Sequence, residues 1–384
     1  MMRRLPRWSG PIRRKHFFLL ILLLPLLVFC LSVGLALYFG PLVIRAAIEY
    51  GITDKPNTPL KTHTTPVAYL GGLIVFLPFL CTLALALPFD QRMLAVLLSA
   101  SVVVSVGLVD DLGALSPKEK LFGQLIAALL LIKAGVSIEI SVVPPLAAQA
   151  LTVLWLLTCM NAFNIVDVSD GLATTSAIVG ALAVTILAFI EQELPLLIMG
   201  AALMGSCSGF LFFNRQPARV YLGDTGSMLL GSLLGTLCIL GTYGDNLFSS
   251  SFVPFCIMAI PFFDLALVMI ARLFARLPLM QGSPDHFAVR MRDAGMQSNH
   301  IALIAGAFGL LFGAIGILSA FVDDATALLV SLSSLGLGIF LVVLVMRMFP
   351  ARTSPRFVKM EAEAVETKVA KTKAKKGPSP NSVN

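Results

Sequence analysis

The sequence predicts an all-α, polytopic integral membrane protein with about eleven transmembrane helices, within a range of ten to twelve. Three observations predict it. Of its 384 residues, 57% are hydrophobic and only 13% are charged, where a soluble domain carries roughly 25% charged residues. The mean hydropathy is +0.90. The apolar residues also gather in windows near the ~20 residues that a bilayer crossing needs. Those windows are apolar on every face, which excludes the alternating strands of an outer-membrane barrel.

In chain order the windows are 17–38, 69–88, 93–109, 121–135, 148–163, 171–190, 195–213, 226–242, 252–274, 300–321 and 325–348. The windows at 121–135 and 148–163 are short, as suits helices enclosed by others. Three regions follow: a basic N-terminal segment (1–16), a transmembrane domain (17–348) and a basic tail (349–384). The tail is rich in Lys, Pro and Ser without apolar period, the composition of a disordered cytoplasmic extension. The six cysteines are scattered through the windows with no CxxC pair, so they read as small packed residues, not as disulfides or thiolate metal ligands.

Numbering the loops alternately separates the charges. The loops at 39–68, 110–120, 164–170, 214–225 and 275–299, with the tail, carry most of the 28 Lys and Arg. The other set carries Asp90, Glu139, Glu191, Glu193, Asp245, Asp323 and Asp324. The positive-inside rule places the first set in the cytoplasm. The basic run Arg3 to Lys15 opposes this, since an odd span count puts the N-terminus outside.

The run NAFNIVDVSDGLA, 161–173, sets two Asn and two Asp between apolar segments. On the same predicted face lie Asp110 and Asp111, which end a window, and Asp224 in the glycine-bounded VYLGDTGSMLLG. Asp264, inside AIPFFDLALVMI, reaches that face only through a deep cleft. Solvated loop acids explain Asp54 and Asp293. They do not explain the rest, because ionisable groups at membrane depth are costly and mark function. Carboxylates that converge need cations. Hard oxygen ligands suit Mg2+, with Mn2+ as the alternative, and Mg2+ completes its shell with substrate phosphate. The four His are too scattered for a zinc motif. Basic residues interleave with the acids in glycine-containing turns, the mix expected where a metal and cationic side chains neutralise a transferring phosphoryl group.

These residues resemble a known family, the polyprenyl-phosphate N-acetylhexosamine-1-phosphate transferases of glycosyltransferase family 4. The resemblance runs from about 45 to 300 through DKPNTPLKTHTTPVAYLGGL, GLVDDLGALSPKEKLFGQ, NAFNIVDVSDGLA, FFNRQPARVYLGDTGSMLLG, IPFFDLALVMIAR and GSPDHFAVRM, in family order. It implies transfer of HexNAc-1-phosphate, by default GlcNAc-1-phosphate, from a UDP-sugar to polyprenyl (undecaprenyl) phosphate. The products are polyprenyl-diphospho-HexNAc and UMP, in the first membrane step of cell-surface polysaccharide synthesis. The site is implied to lie at the cytoplasmic face of the plasma membrane, in a chain that needs Mg2+; a homodimer is compatible with it, and the sequence leaves the oligomeric state open. Val168 stands where the family usually has Gly between the aspartates, Leu60 where Arg is common, and His286 alone where many members have several His. The last departure argues against the muramoyl-pentapeptide branch.

The resemblance implies roles. Asp110, Asp111, Asp167 and His286 are expected in catalysis, with Asp110 and Asp111 engaging the lipid phosphate. Asp224 and Asp111 are expected to hold the metal. Asn161, Asn164, Asp167, Asp170, Asn214 and Tyr221 are expected to contact the nucleotide sugar. Lys61, His63, Lys118, Lys120 and Arg290 are expected to bind phosphate. The plainer readings are an interhelical amide bond for Asn161, an interfacial-belt ring for Tyr221 and positive-inside markers for the cations. A multi-span ion-coupled transporter is the alternative function, but it calls for midspan acids and repeated halves.

Overall fold

The computed structural model describes residues 11–54, 67–113, 115–140, 143–243, 247–276 and 285–350. Lys61 and His63, and most of the expected N-terminal segment and tail, lie outside the described residues. The elements are α1 (Pro11–Glu49), β1 (Thr53–Asp54), β2 (Val67–Ala68), α2 (Gly71–Ala86), α3 (Gln91–Asp111), α4 (Pro117–Lys133), α5 (Pro145–Val166), α6 (Leu172–Ile190), α7 (Leu194–Asn214), α8 (Gly223–Leu240), α9 (Leu247–Ile257), α10 (Ala259–Ala275), α11 (Phe287–Asp293), α12 (Ser298–Ser319) and α13 (Asp324–Met348). The fold is all-α, since β1 and β2 form only a two-residue antiparallel ladder.

Every predicted window falls on helix, but the number of full-length spans needs correcting. Among the described residues, eight helices are long and apolar enough to cross a membrane alone. The pair α9 and α10 makes a ninth, bent by 85° at its break. Helices α2 and α4 have 16 and 17 residues, below the ~20 of a full crossing. The window expected short at 148–163 is instead a 22-residue helix, α5. Hydropathy alone could not show the bend, because α9 and α10 are equally apolar on both sides of it.

Side-chain ties place helix ends on a common face. Asp111 at the end of α3 meets the start of α8. Lys120 at the start of α4 meets both α3 and α8. Asn164 near the end of α5 meets α8, and Thr174 at the start of α6 meets Asn214 at the end of α7. Asn299 at the start of α12 meets Gln216, and Phe349 beyond α13 meets Arg290. Short as they are, α2 and α4 therefore carry the chain between the two faces. Among the described residues, the helix ends that flank the loops predicted to share a side do share one.

Helices α7 and α8 sit at the centre, buried along nearly their whole length. Helix α13 buries only Ala327, Ser334 and Val342, and its exposed Leu328, Leu329, Leu332, Leu335 and Phe340 suit acyl chains. Water-driven burial cannot hold such helices together in lipid, so close backbone approach and interhelical hydrogen bonds do. Ser32 of α1 donates to Ala202 O of α7 at 2.8 Å and lies 2.7 Å from Ser206 Oγ.

Two approaches position the functional end. A Cβ on Gly72 of α2 would meet Gly226 N at 2.5 Å, and one on Gly107 of α3 would meet Thr225 Cα at 2.4 Å. Both contacts are to backbone, which cannot rotate away. Gly107→Ala must push α3 off the start of α8. We expect it to cost about 1–3 kcal/mol, as overpacking does, and to lower turnover at least tenfold by separating Asp111 from Thr225. A thermal melt and a turnover assay on the variant check this. Wild-type values in both would contradict the close packing.

Candidate functional site

Local sequence explains how each side chain arrives. Ser116 caps α4 in a reciprocal box: its N–H donates to Glu119 Oε2 at 2.7 Å, and Glu119 N–H donates back to Ser116 Oγ at 3.4 Å, with Pro117 following at the first helical position. This is what Ser-Pro-x-Glu encodes, and it fixes Lys120 in the first turn. Just upstream, Gly113 takes φ 73° and its N–H donates to Asp110 O at 2.7 Å. The tight turn sets Lys120 beside the acids that end α3.

The start of α8 is held from two sides. Gly71 N–H donates to Tyr221 O at 3.0 Å, Gly72 N–H to Leu222 O at 3.1 Å, and Tyr221 N–H to Ala68 O at 2.9 Å. From α3, Asp111 accepts from Asp224 N–H at 2.7 Å, from Thr225 N–H at 3.1 Å and from the Thr225 hydroxyl at 2.6 Å. A carboxylate here satisfies helix N–H groups that have no partner within the helix, and it meets the positive end of the dipole.

Asp224 stands at the centre of the acids. Lys120 Nζ lies 2.8 Å from its Oδ2 and 2.7 Å from Asp110 Oδ2. Asn164 donates to Asp224 Oδ1, and also to Ser227 Oγ at 3.0 Å. Asp167, at the end of α5, differs from the other acids. Among the described residues it has no hydrogen bond or ion pair. Burial pushes its carboxyl up to about 8, and Asp224, Asp111 and Asp170 push in the same direction. By solvent exposure Asp167 is only partly buried, and a carboxylate in such a place whose charged neighbours among the described residues are acidic lacks a cation.

That deficit defines what the site can hold. Among the described residues no three His, Cys, Asp or Glu side chains are grouped to hold a metal ion alone. Mg2+, however, needs only one or two carboxylates when waters and a substrate phosphate complete its shell. Asp167 and Asp224 fit that donor set. Asp111, the other expected ligand, has both oxygens engaged by the start of α8, Oδ2 by two donors and Oδ1 by one, so it is already committed to holding that helix end.

The sign of the Asp167 shift yields a prediction. The folded protein keeps a proton on Asp167 that the unfolded chain, with its ordinary value of 3.8, has lost. This group therefore lowers stability progressively as pH rises from about 4 to about 8, and fully above that. Asp167→Asn removes the ionisation. Without ligand it is expected to melt higher than wild type near pH 9 and equally near pH 4, while losing turnover. A lower melting temperature at pH 9 would contradict the unpaired carboxylate.

Other expected residues meet the protein itself. Asn214 is 3% exposed. It accepts from Gly171 N–H at 3.1 Å and the Thr174 hydroxyl at 2.9 Å, and donates to Val220 O at 3.0 Å. No polar face remains for a nucleotide, so in this arrangement Asn214 ties α6, α7 and the approach to α8. Asn161 donates to Gln124 Oε1 at 3.0 Å and Leu157 O at 2.7 Å, which is the interhelical amide bond. Asp170 accepts from Ala218 N–H at 3.1 Å. Lys118 is exposed and makes no ion pair with the acids.

Asp264 lies in the first turns of α10, beyond the bend, and is fully buried. Its oxygens bind His286 Nδ1 at 2.8 Å and Phe287 N–H at 2.9 Å. The loop before α11 thus folds inward to meet an acid at depth, as irregular backbone does when enclosed by protein. Arg290 donates to Asp285 O and Phe349 O, each at 3.0 Å. His286 and Arg290 therefore form a second cluster, apart from the Lys120 bridge.

Three contributors escaped the sequence reading. Gln124 was visible as a lone amide in an apolar helix; here it joins Asn161 to Met228. Ser227 was visible only as part of the α8 N-terminus. Tyr69 carried no signal. Its ring lies 6.1 Å from that of Tyr221 at 57°, and burial raises both hydroxyls to about 12, with Asp54 adding to each.

The sequence is similar to those of known proteins. The sequence profile described as Glycosyl transferase family 4 matches residues 93–242, a stretch that contains Asp110, Asp111, Lys120, Asn164, Asp167 and Asp224. A Bacillus subtilis protein named "Probable undecaprenyl-phosphate N-acetylglucosaminyl 1-phosphate transferase" is 30% identical over 293 residues, 74% of this chain and 82% of its own. The decaprenyl-phosphate N-acetylglucosaminephosphotransferase of Mycobacterium tuberculosis is 28% identical over 314 residues, 71% of this chain and 77% of its own. The phospho-N-acetylmuramoyl-pentapeptide-transferase of Acetivibrio thermocellus is 31% identical over 239 residues, 56% of this chain and 72% of its own.

Proposed function

The chain belongs to glycosyl transferase family 4, and from that premise we propose that it transfers HexNAc-1-phosphate, by default GlcNAc-1-phosphate, from a UDP-sugar to polyprenyl phosphate. The single observation that carries the reading is the acid group at the helix ends, Asp224 bridged by Lys120 with Asp167 unpaired beside it. Such a group suits a cation and a diphosphate together. An acceptor whose tail lies in the bilayer and a donor arriving from water meet at that level. The positive-inside rule makes it the cytoplasmic face, in the plasma membrane of a bacterial cell.

The chemistry needs little from the protein beyond placement and charge. A non-bridging oxygen of the polyprenyl phosphate attacks the phosphorus that bears the sugar. The bond from that phosphorus to the bridging oxygen breaks, and UMP leaves with the electron pair. The oxygen attacks as an anion, so Asp110 need not take a proton; Lys120 can meet charge on the diphosphate. Asp167 and Asp224 would hold Mg2+, which when bound neutralises the diphosphate charge. Asp111 keeps the start of α8 in place. Tyr221 with Tyr69 offers a ring surface for uracil. Arg290, buried at 4% exposure, fixes the His286 loop to the end of α13. The basic N-terminal segment and tail flank this domain, and homodimerisation is part of the same reading.

A transporter gains no support, since the acids other than Asp264 sit at helix ends and not at midspan. The deciding experiment uses the purified full chain in detergent with radiolabelled UDP-GlcNAc and undecaprenyl phosphate. Organic-extractable label and UMP are expected with Mg2+ and neither with EDTA. No lipid product from any UDP-HexNAc would overturn the function.

A further inference from the structure

We propose that Lys120 is a built-in counter-ion which holds the cation position at Asp224 until a divalent ion and a diphosphate arrive, so that lysine and ion compete for that carboxylate. The proposal rests on the metal–diphosphate reading of the site.

The geometry carries it. Asp110, Asp111, Asp167 and Asp224 converge at the ends of three helices, and Lys120 is the one cation that pairs with them among the described residues. The Lys120 side chain is 16% exposed, so its charge is largely withdrawn from water and its partners are acids. Both Asp224 oxygens are taken, Oδ2 by Lys120 and Oδ1 by Asn164. An ion that binds Asp224 through Oδ2 therefore comes against the Lys120 ammonium, and one that binds through Oδ1 meets the Asn164 amide. Asn164 is neutral and retains Ser227. Lys120 carries a charge of the ion's own sign, so the ion repels it.

Lys120 can leave Asp224 without leaving the site. Its backbone is fixed by the Ser116–Glu119 box, its four-carbon stem is flexible, and Asp110 remains as a partner. Released from Asp224, the ammonium is free to meet an incoming phosphate. Carboxylate partner and phosphate ligand are then two positions of one side chain. The lysine also keeps α3 and α8 from repelling each other while the site is empty. Competition of this kind makes the ion bind weakly alone and tightly with its diphosphate.

The test is Mn2+ binding to the purified full chain without substrate, read by loss of the free-ion EPR signal. Lys120→Gln is expected to bind Mn2+ at least about tenfold more tightly than wild type, because a +1 charge in contact with the ligand is removed. Lys120→Arg keeps the charge and should match wild type. Lys120→Met repeats the neutral arm if the Gln variant does not fold. Unchanged or weaker Mn2+ binding in the folded neutral variant overturns the proposal. The transfer assay is read separately. Wild-type transfer with unaltered Mn2+ binding in Lys120→Gln sinks the counter-ion role alone. Tighter Mn2+ binding in Lys120→Gln, with no lipid product from the wild-type chain, keeps the counter-ion role and sinks the function.

Discussion

Asp224→Ala is expected to lower transfer by at least about a thousandfold, ~4 kcal/mol of transition-state stabilisation, while leaving the fold almost untouched. The two effects separate because Asp224 has little structural duty. Its partners Lys120 and Asn164 each keep a second one, Asp110 and Ser227. Its side chain is 34% exposed, so the lost ion pair is worth ~1 kcal/mol or less. Removing it also relieves repulsion with Asp110, Asp111 and Asp167. What disappears is the carboxylate at the centre of the group, and with it the partner Asp167 needs to hold an ion between two negative charges. The measurement pairs initial rate with thermal melting in the same detergent. A variant that keeps a tenth of wild-type rate would place the chemistry elsewhere, and the Asp264–His286 cluster would be the next place to look.

The sequence exposed the level of these groups better than their partners. Apolar windows have a length set by the bilayer, so polar residues that end alternate windows must share a face. That argument alone brought Asp110, Asp111, Asp167, Asp170 and Asp224 together. The helix start at Ser116-Pro117-x-Glu119 lies ahead of the apolar window at 121–135, because hydropathy marks the apolar stretch and not the polar cap. Partner choice was not legible. An amide facing a cavity and one facing a neighbouring helix look alike in sequence, so Asn214 and Asn161 read as nucleotide contacts although their polar atoms bind Thr174, Val220 and Gln124. Tyr69 gave no sign of standing beside Tyr221 until Gly71 and Gly72 were seen to join the segment before α8. The bend between α9 and α10 was hidden because hydropathy averages across it. The depth of Asp264 was legible, and its resolution by an inward-folded His286 was not.

The Asp111 bonds lead to the second large prediction, which differs in kind from the first. Asp111→Ala is expected to abolish transfer and also to destabilise the protein by ~2–4 kcal/mol. Its carboxylate accepts three hydrogen bonds at the start of α8, two from backbone N–H groups and one from Thr225. A cap residue replaced by Ala costs about 1 kcal/mol, bonds to a charged acceptor are worth ~1.5–3 kcal/mol each, and three on one carboxylate add less than their sum. The α3–α8 contact limits relaxation, because Gly107 already lies against Thr225. Helix α8 would then start later or tilt, moving Asp224 away from Lys120. Asp111→Asn keeps one acceptor but turns an NH2 toward N–H donors, so it should fall between wild type and Ala in stability. Melting temperature therefore divides the two aspartates: both variants lose activity, and only Asp111→Ala loses stability. If Asp111→Ala melted with wild type while turnover vanished, Asp111 would have to act on substrate or ion directly, as its place in the Asp-Asp pair first suggested, and the bonds to α8 would be incidental.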